Sequence, residues 1–528
     1  MSNLFAGLDV STQSCKLVVI DFDSKETVFL DSVNYDRDMP EYDTSGGTRK
    51  DAGFGVSESD PNMWVEAIHS LFLRLKNNLK DQISEIKAIS VSGQQHGLVT
   101  ITEDGDLSRD YSKLWNDFST AQECSILTEK IGGAENMISE IGNTQRTGYT
   151  APKILHMIRN EPKNYKETST IFLVHNYINW ILTGGKKGGV AAMEPGDVSG
   201  SALWNPKTKE WSRKVINAIS QDLMEKLPPV KDSRTFIGDI GEDFVDQYGF
   251  SADCKIASGS GDNMMGAIGT GNFVEGVVTV SLGTSGTAYS FMKKPYVDPK
   301  GEIAAFCDAT GNYLPLLCIS NLANGYETYI NTFDFSHEDF DKAARETEPG
   351  NGGKIICPWF EGERTPDLPE AAPVYFGFEI KDFRTPTLAR GIMEGHILNL
   401  YEGFQRLPVD PTEIRLTGGI SKSPVWRETI ANIFNCEVVP VKGEGAALGA
   451  ALHATWSYFK DRAISEIAEG FVILEEDERI KPTNKYVERY NDLKQIYMAL
   501  SKRVRGYTAE NPFKQFKDYV EKWKKDEK

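Results

Sequence analysis

Two short stretches decide how this chain is read: Asp9-Val10-Ser11-Thr12-Gln13-Ser14 near its start and Ser281-Leu282-Gly283-Thr284-Ser285-Gly286 past its midpoint. Apolar runs flank each of them, 4–8 and 17–20 around the first, 277–282 and 287–291 around the second, so each predicts a β-hairpin. A turn of small hydroxyl and glycine residues presents backbone N–H groups and hydroxyls to an oxyanion, which is what a nucleotide phosphate needs. Thr12 and Thr284 are the centres of the two turns. Taken singly, either is accounted for by an ordinary turn; as a matched pair they predict two structurally similar domains facing each other.

Working outward, residues 86–91 read as a buried strand, 118–131 as a helix and 177–182 as part of another, an α/β alternation. Polar and glycine-rich stretches at 42–59 and 184–189 read as surface loops, the first as an insertion rather than a functional flap. Residues 244–255 read as the crossover into the second domain, because a new strand and glycine loop begin at Ile256. The expected division is therefore 1–254, 255–480 and a helical tail at 481–528. In the second half, 414–417 is a short strand and Gly418-Gly419 a tight turn. Ser423 and Pro424 are the cap and first position of a helix running through 434. Small residues at 445–451 predict a helix that approaches a flat ligand closely, and 486–528 an amphipathic helix docked on the body.

Composition bounds the function classes. A chain of 528 residues exceeds one hydrophobic core, and apolar and charged fractions of 40% and 25% are those of ordinary globular proteins. A net charge of -18 disfavours nucleic acid or an anionic membrane surface as partner. The start of the chain lacks a basic region and Asp9 interrupts its apolar stretch, so no secretory signal is expected, and no apolar run approaches a membrane span of about 20 residues. The seven cysteines include no Cys-x-x-Cys pair and the seven histidines no His-x-x-x-His pair, which points to a reducing cytoplasm without a zinc site or disulfide framework.

Three stretches carry chemistry. Asp9 ends the first strand, where a carboxylate either caps the turn or holds Mg²⁺ through water beside phosphate oxygens. Asp262, in Ser258-Gly259-Ser260-Gly261-Asp262-Asn263, is either a helix N-cap or a general base for a sugar hydroxyl. Ser92-Gly93-Gln94-Gln95-His96-Gly97 gathers polar side chains at the C-terminal end of a strand, where open α/β sheets bind ligands. Neutral amides and an imidazole suit an uncharged polyol, and a polar surface loop is the alternative.

Together these stretches resemble the FGGY carbohydrate kinases, from Gly7 to about Tyr490. Phosphate motifs match at Asp9-Val10-Ser11-Thr12-Gln13 and Ser281-Leu282-Gly283-Thr284-Ser285, and the catalytic loop at Gly261-Asp262-Asn263. Adenosine-site motifs match at Thr417-Gly418-Gly419 with Ser421-Lys422-Ser423 and at Gly445-Ala446-Ala447-Leu448-Gly449, and Glu363-Arg364-Thr365-Pro366 matches a further stretch. The resemblance implies two actin-like, ribonuclease H-like ATPase domains facing a cleft, the first binding sugar and the second ATP. It implies Asp262 as catalytic base and Asp9 as the carboxylate organising Mg²⁺. Ser11, Thr12, Gly283, Thr284, Ser285, Gly418, Gly419 and Ser423 would face ATP. Gln95, His96, Asp262 and Asn263 would touch the sugar, beside Trp115-Asn116-Asp117. The 93–97 loop resembles members acting on D-xylulose rather than on L-ribulose, L-fuculose or glycerol.

The chain departs from the bacterial pattern at Ser11, where glycine is usual, and at Phe118-Ser119, which replaces a Gly-Arg pair. The 118–122 run and the 42–59 loop resemble animal-type members, whose sugar-contacting arginine falls near Gln145 and Arg146, making Arg146 the candidate. The expected partners are a small sugar and ATP, with neither nucleic acid nor membrane, in a monomer or homodimer.

Overall fold

The computed structural model describes residues 3–443 and 445–524. The chain forms two compact units, each assembled from separate segments. The first comprises 1–274, 291–315 and 443–472; the second comprises 275–290, 316–442 and 473–528. A single cut after residue 254 therefore does not separate them.

The first unit is built on a seven-stranded sheet ordered Phe236–Asp239, Lys255–Ala257, Ile86–Gly93, Leu4–Val10, Ser14–Asp21, Glu26–Asn34, with Ser260–Gly261 also beside Ile86–Gly93. The first hairpin forms as expected, Leu4 opposite Asp21 and Val10 opposite Cys15. Leu4–Val10 is buried along its whole length and runs parallel to Ile86–Gly93, which explains its nearly continuous apolar character. Its even-numbered side chains join one core with helix Pro61–Leu79. That helix starts where Asp60 accepts from the Asn62 N–H ahead of Pro61, and Trp64, Ile68, Leu71, Phe72 and Leu75 form its buried stripe. Each such side chain contributes roughly 1.5–3 kcal/mol on burial. The opposite face receives helix Gly445–Tyr458: Phe5 meets the Tyr458 ring edge-on at 5.4 Å, and a Cβ on Gly7 would lie 2.1 Å from the Ala447 carbonyl oxygen.

The strand at Ile256 does not open the second unit. Lys255–Ala257 pairs in parallel with Ile86–Gly93, Ile256 opposite Ile89, and extends the first sheet. A short apolar run looks the same in sequence whether it joins an existing sheet or founds a new one. The 118–131 helix begins only at Ala121, because the Phe118 N–H is taken by the Gly55 carbonyl and the Ser119 N–H by Asp117. The 42–59 loop is also more ordered than a plain insertion. It holds the hairpin Thr44–Ser45/Thr48–Arg49, whose turn is fixed by Asp36 accepting from Thr44, Gly46 and Gly47. The small residues at 445–451 serve helix packing: a Cβ on Gly449 would lie 1.8 Å from the Met265 carbonyl oxygen of helix Asp262–Gly269.

The second unit has a six-stranded sheet ordered Leu316–Ile319, Gly286–Ser290, Val277–Leu282, Glu413–Thr417, Val438–Lys442, Ile473–Leu474. The second hairpin is present, Leu282 opposite Gly286. The tail comprises two helices, Asn484–Val504 and Pro512–Trp523, the first burying Val487, Tyr490, Leu493, Ile496, Tyr497 and Leu500 on this unit; residues 525–528 lie outside the described residues. Among the described residues no helix is long and apolar enough to cross a membrane.

Candidate active site

Strand register assembles the polar centre of the first unit. Asp9 lies opposite Ser92, and Ser260 and Gly261 lie opposite Ser92 and Gly93 on the far side of the same strand. Asp262, the next residue, thus arrives beside the 92–97 loop. Asn263 donates from Nδ2 to Gln95 Oε1 at 2.8 Å and to Asp262 Oδ1 at 3.1 Å, and its N–H donates to the same oxygen at 2.8 Å. Asp9 accepts from Ser92 Oγ at 2.7 Å and from Ser11 Oγ at 2.6 Å. Thr12 donates to Gln94 Oε1 at 3.1 Å and accepts from Trp115 Nε1 at 3.0 Å. Both hydroxyls of the first turn are therefore tied into the network rather than held as a separate cradle. Gln94 Nε2 and Gln95 Nε2 are buried with no protein partner. A buried donor left unsatisfied costs about 1–3 kcal/mol, so these amides are suited to the hydroxyls of a polyol.

Asp262 is half-buried, and its carboxyl is pushed up to about 7 by burial first and then by the carboxylates of Asp9 and Asp197. A base that titrates near neutrality is matched to removing a hydroxyl proton. The N-cap alternative fails on geometry, since Asp262 is the first helical residue and Gly261 occupies the cap.

His96 has φ +65°, a left-handed conformation costly for a residue with a Cβ, and its surroundings hold it there. Its N–H donates to Asp197 Oδ1 at 3.3 Å, and its carbonyl accepts from Lys153 Nζ at 2.7 Å and Thr150 Oγ1 at 3.2 Å. Its ring packs against Tyr149 and Phe306 with Nδ1 3.6 Å from Asp197 Oδ1. Behind it, Glu194 accepts from the N–H groups of Gly196 and Asp197 and from Ser260 Oγ. Burial pushes the Glu194 carboxyl up to about 7, against the opposing effect of His175. Lys153 is brought down to about 7 by burial, although Asp117 and Asp197 favour its charge. Beside the Trp115 contact, burial would raise Asp117, but Ser119, Lys113 and the Ser57 N–H outweigh it and hold the carboxyl below its ordinary range.

In the second unit, the 283–285 turn and the Gly418-Gly419 turn follow adjacent parallel strands, Ser281 opposite Thr417. Gly418 has φ +91°, and a Cβ there would lie 2.4 Å from the Leu282 carbonyl oxygen, so only glycine lets the two turns approach this closely. Gly283 and Thr284 are exposed. Ser423 caps helix Pro424–Phe434, accepting from the Trp426 N–H, and donates to the Asp341 carboxylate at 2.8 Å. Its hydroxyl is thus engaged by a carboxylate, which does not suit a phosphate contact.

The structure brings together Asp9, Ser11, Thr12, Gln95, His96, Asp262 and Asn263 in one unit, and Gly283, Thr284, Ser285, Gly418 and Gly419 in the other. Arg146 stands apart from the first group in its bonding, donating to the Gly301 carbonyl at 2.5 Å and to Thr144. A guanidinium finds carbonyl acceptors as readily as hydroxyls, and spacing alone does not distinguish them. Sequence reading missed Lys153, Glu194 and Asp197. Pro195, at the first position of helix Pro195–Val198, was the one available signal for the last two.

Comparison with known proteins gives this geometry a context. Residues 4–269 match the model of the FGGY family of carbohydrate kinases, N-terminal domain, and residues 267–458 that of the C-terminal domain. This chain belongs to the FGGY carbohydrate kinases. A curated relative of this FGGY kinase, the xylulose kinase of Haemophilus influenzae, is 34% identical over 94% of this chain and 99% of its own. Two solved structures from Lactobacillus acidophilus share the actin-like two-domain fold, each with a TM-score of 0.85. One is a ligand-bound xylulose kinase, 23% identical, covering 95% of this chain and 98% of its own. The other is a gluconate kinase, 24% identical, covering 96% and 98%. Fold likeness alone therefore does not select the sugar for this FGGY kinase.

Proposed function

We propose that this carbohydrate kinase transfers the terminal phosphoryl group of ATP to the 5-hydroxyl of D-xylulose, giving D-xylulose 5-phosphate, with Asp262 as general base. The observation that carries the reading is the environment of Asp262: a half-buried carboxyl near neutrality, bonded to Asn263, which in turn bonds Gln95. The amides of Gln94 and Gln95 and the fixed ring of His96 orient the sugar hydroxyls. Asp262 then accepts the proton of the attacking hydroxyl; in phosphoryl transfer through a loose transition state this is needed late, so positioning counts as much as basicity. Asp9 and Asp197 act on Asp262 as like charges, so the acceptor site carries carboxylate charge, which favours a neutral ketose over an anionic sugar such as gluconate. The xylulose kinase names of the curated relatives agree with that preference.

The 283–285 and 418–419 turns are the nucleotide's anchors in the second unit, and Ser11 and Thr12 border the acceptor site. Asp9 fits a magnesium ion, since this ion takes one or two carboxylates beside water and phosphate oxygens, and the hydroxyls of Ser11 and Ser92 fix the orientation of its carboxylate. When bound, Mg²⁺ neutralises charge on the transferring phosphate. All seven cysteines are free, which accords with a cytoplasmic enzyme. The test is ADP release over D-xylulose, L-ribulose, L-fuculose, glycerol and gluconate. D-xylulose is expected to give the highest kcat/KM; any other acceptor exceeding it overturns the assignment.

A further inference from the structure

The Glu363-Arg364-Thr365-Pro366 stretch has no part in the chemistry above, yet its carboxylate is buried and densely bonded. Glu363 Oε1 accepts from the Ser320 N–H at 2.6 Å and the Arg364 N–H at 2.7 Å. Its Oε2 accepts from Asn399 Nδ2 at 2.9 Å and Asn321 Nδ2 at 3.1 Å. His396 bonds the Asn321 carbonyl through Nδ1 at 3.0 Å, so residues 320 and 321 are held from both sides of their backbone.

The next two residues touch the phosphate turn. The Leu322 N–H donates to the Thr284 carbonyl, and the Ala323 N–H to the carbonyls of Gly283 and Thr284, each at 3.1 Å. In a planar trans peptide the C=O and the following N–H point in opposite directions. Anchoring the Gly283 and Thr284 carbonyls on residues 322 and 323 therefore turns the N–H groups of Thr284 and Ser285 away from that anchor. These are the donors an oxyanion requires.

We propose that Glu363 is a positioning residue for the nucleotide, acting through residues 320–323 to aim the N–H groups of the 283–285 turn at a phosphate. This rests on the reading of that turn as a nucleotide anchor. The carboxylate is essential because all its partners are donors. A glutamine would set its NH₂ against either the backbone N–H groups of Ser320, Arg364 and Thr365 or the two asparagine amides, whichever way it turned.

Calorimetric titration of the full-length protein with MgADP, and separately with D-xylulose, tests this beside steady-state kinetics. Glu363→Gln is expected to weaken MgADP binding and raise the ATP KM by roughly tenfold, about the loss of one hydrogen bond to a charged group, with D-xylulose affinity within about twofold of wild type. Tyr490→Phe, which removes a hydrogen bond to Glu394 elsewhere in the same unit, is expected to leave MgADP binding unchanged. Unchanged MgADP binding in folded Glu363→Gln, equal losses for both ligands, or an equal loss in Tyr490→Phe overturns the inference. Should Glu363→Gln fail to fold, Asn399→Ala, which removes one donor to Oε2, decides on the same ratio of affinities. Gly283→Ala separates the two layers: its Cβ has room in the fold, its nearest neighbour being the Ser285 carbonyl oxygen at 3.4 Å. If Gly283→Ala leaves MgADP binding intact, the anchor reading itself fails; if it weakens binding and Glu363→Gln does not, only the positioning role fails.

Discussion

Replacing Asp262 by asparagine should make the protein more stable and nearly inactive, and the pH dependence of the stability gain is the sharper test. The carboxyl titrates at about 7 in the folded protein against 3.8 in the unfolded chain. Between those values the folded state binds more protons than the unfolded state, so stability falls as pH rises through the window and stays low above it. About 3 pH units at roughly 1.4 kcal/mol each sets a ceiling of about 4 kcal/mol for holding Asp262 ionised. Relaxation and water access reduce this, leaving about 1–2 kcal/mol as the expected gain in Asp262→Asn above pH 7. The gain should shrink steadily as pH falls below 7, to about half near pH 5.4, midway through the window. The asparagine retains the oxygen that accepts from the Asn263 N–H, so the loop geometry is kept. Thermal midpoints of both proteins over pH 5.4 to 8.5 measure the gap, and turnover should fall by roughly two to four orders of magnitude. A gap independent of pH, or a variant less stable than wild type at pH 8, would refute the reasoning. Near-normal kcat in the folded variant would refute the base assignment.

Two further substitutions probe the same unit. Asp9→Ala is expected to cut MgATP-dependent turnover by about a hundredfold or more while D-xylulose affinity stays within about threefold, measured by kinetics and calorimetry; loss of sugar binding with unchanged MgATP kinetics places Asp9 in a different role. His96→Ala should lower kcat/KM for D-xylulose by about ten to a hundredfold. Because φ at this position is +65°, His96→Gly should be more stable than His96→Ala by about 1 kcal/mol, and the reverse order in a melting comparison would contradict the strain described here.

Both hairpins were legible because hydroxyl-rich turns between apolar runs leave a local signature, and their observed registers follow it. The 92–97 and 258–263 loops were each legible as polar glycine loops, but their meeting depends on Ser260 pairing with Ser92, a partnership 168 residues apart. Nothing local records such a choice, which is also why the strand at Ile256 was expected in the wrong sheet. Lys153 reads as an ordinary solvated lysine on helix Thr150–Asn160, and only tertiary packing shows it fully buried under His96. Ser423 shows the opposite outcome: the cap was legible from Ser-Pro, while Asp341, 82 residues away, determines what its hydroxyl faces.

The helix Gly445–Tyr458, seated on the Phe5 and Gly7 face of the first sheet, has a consequence for how the protein is made. At about 5–20 residues per second, translation needs roughly 20 to 90 seconds between delivery of the first strand and delivery of that helix. Throughout that interval the growing chain carries the apolar face of a sheet whose cover does not yet exist. A fragment ending at Gly269 never receives it, although it contains Asp9, Gln95, His96, Asp262 and Asn263. The first unit therefore completes its folding after the chain of the second sheet's central strands has left the ribosome, and chaperone demand during synthesis should centre on the first strand rather than on the later one.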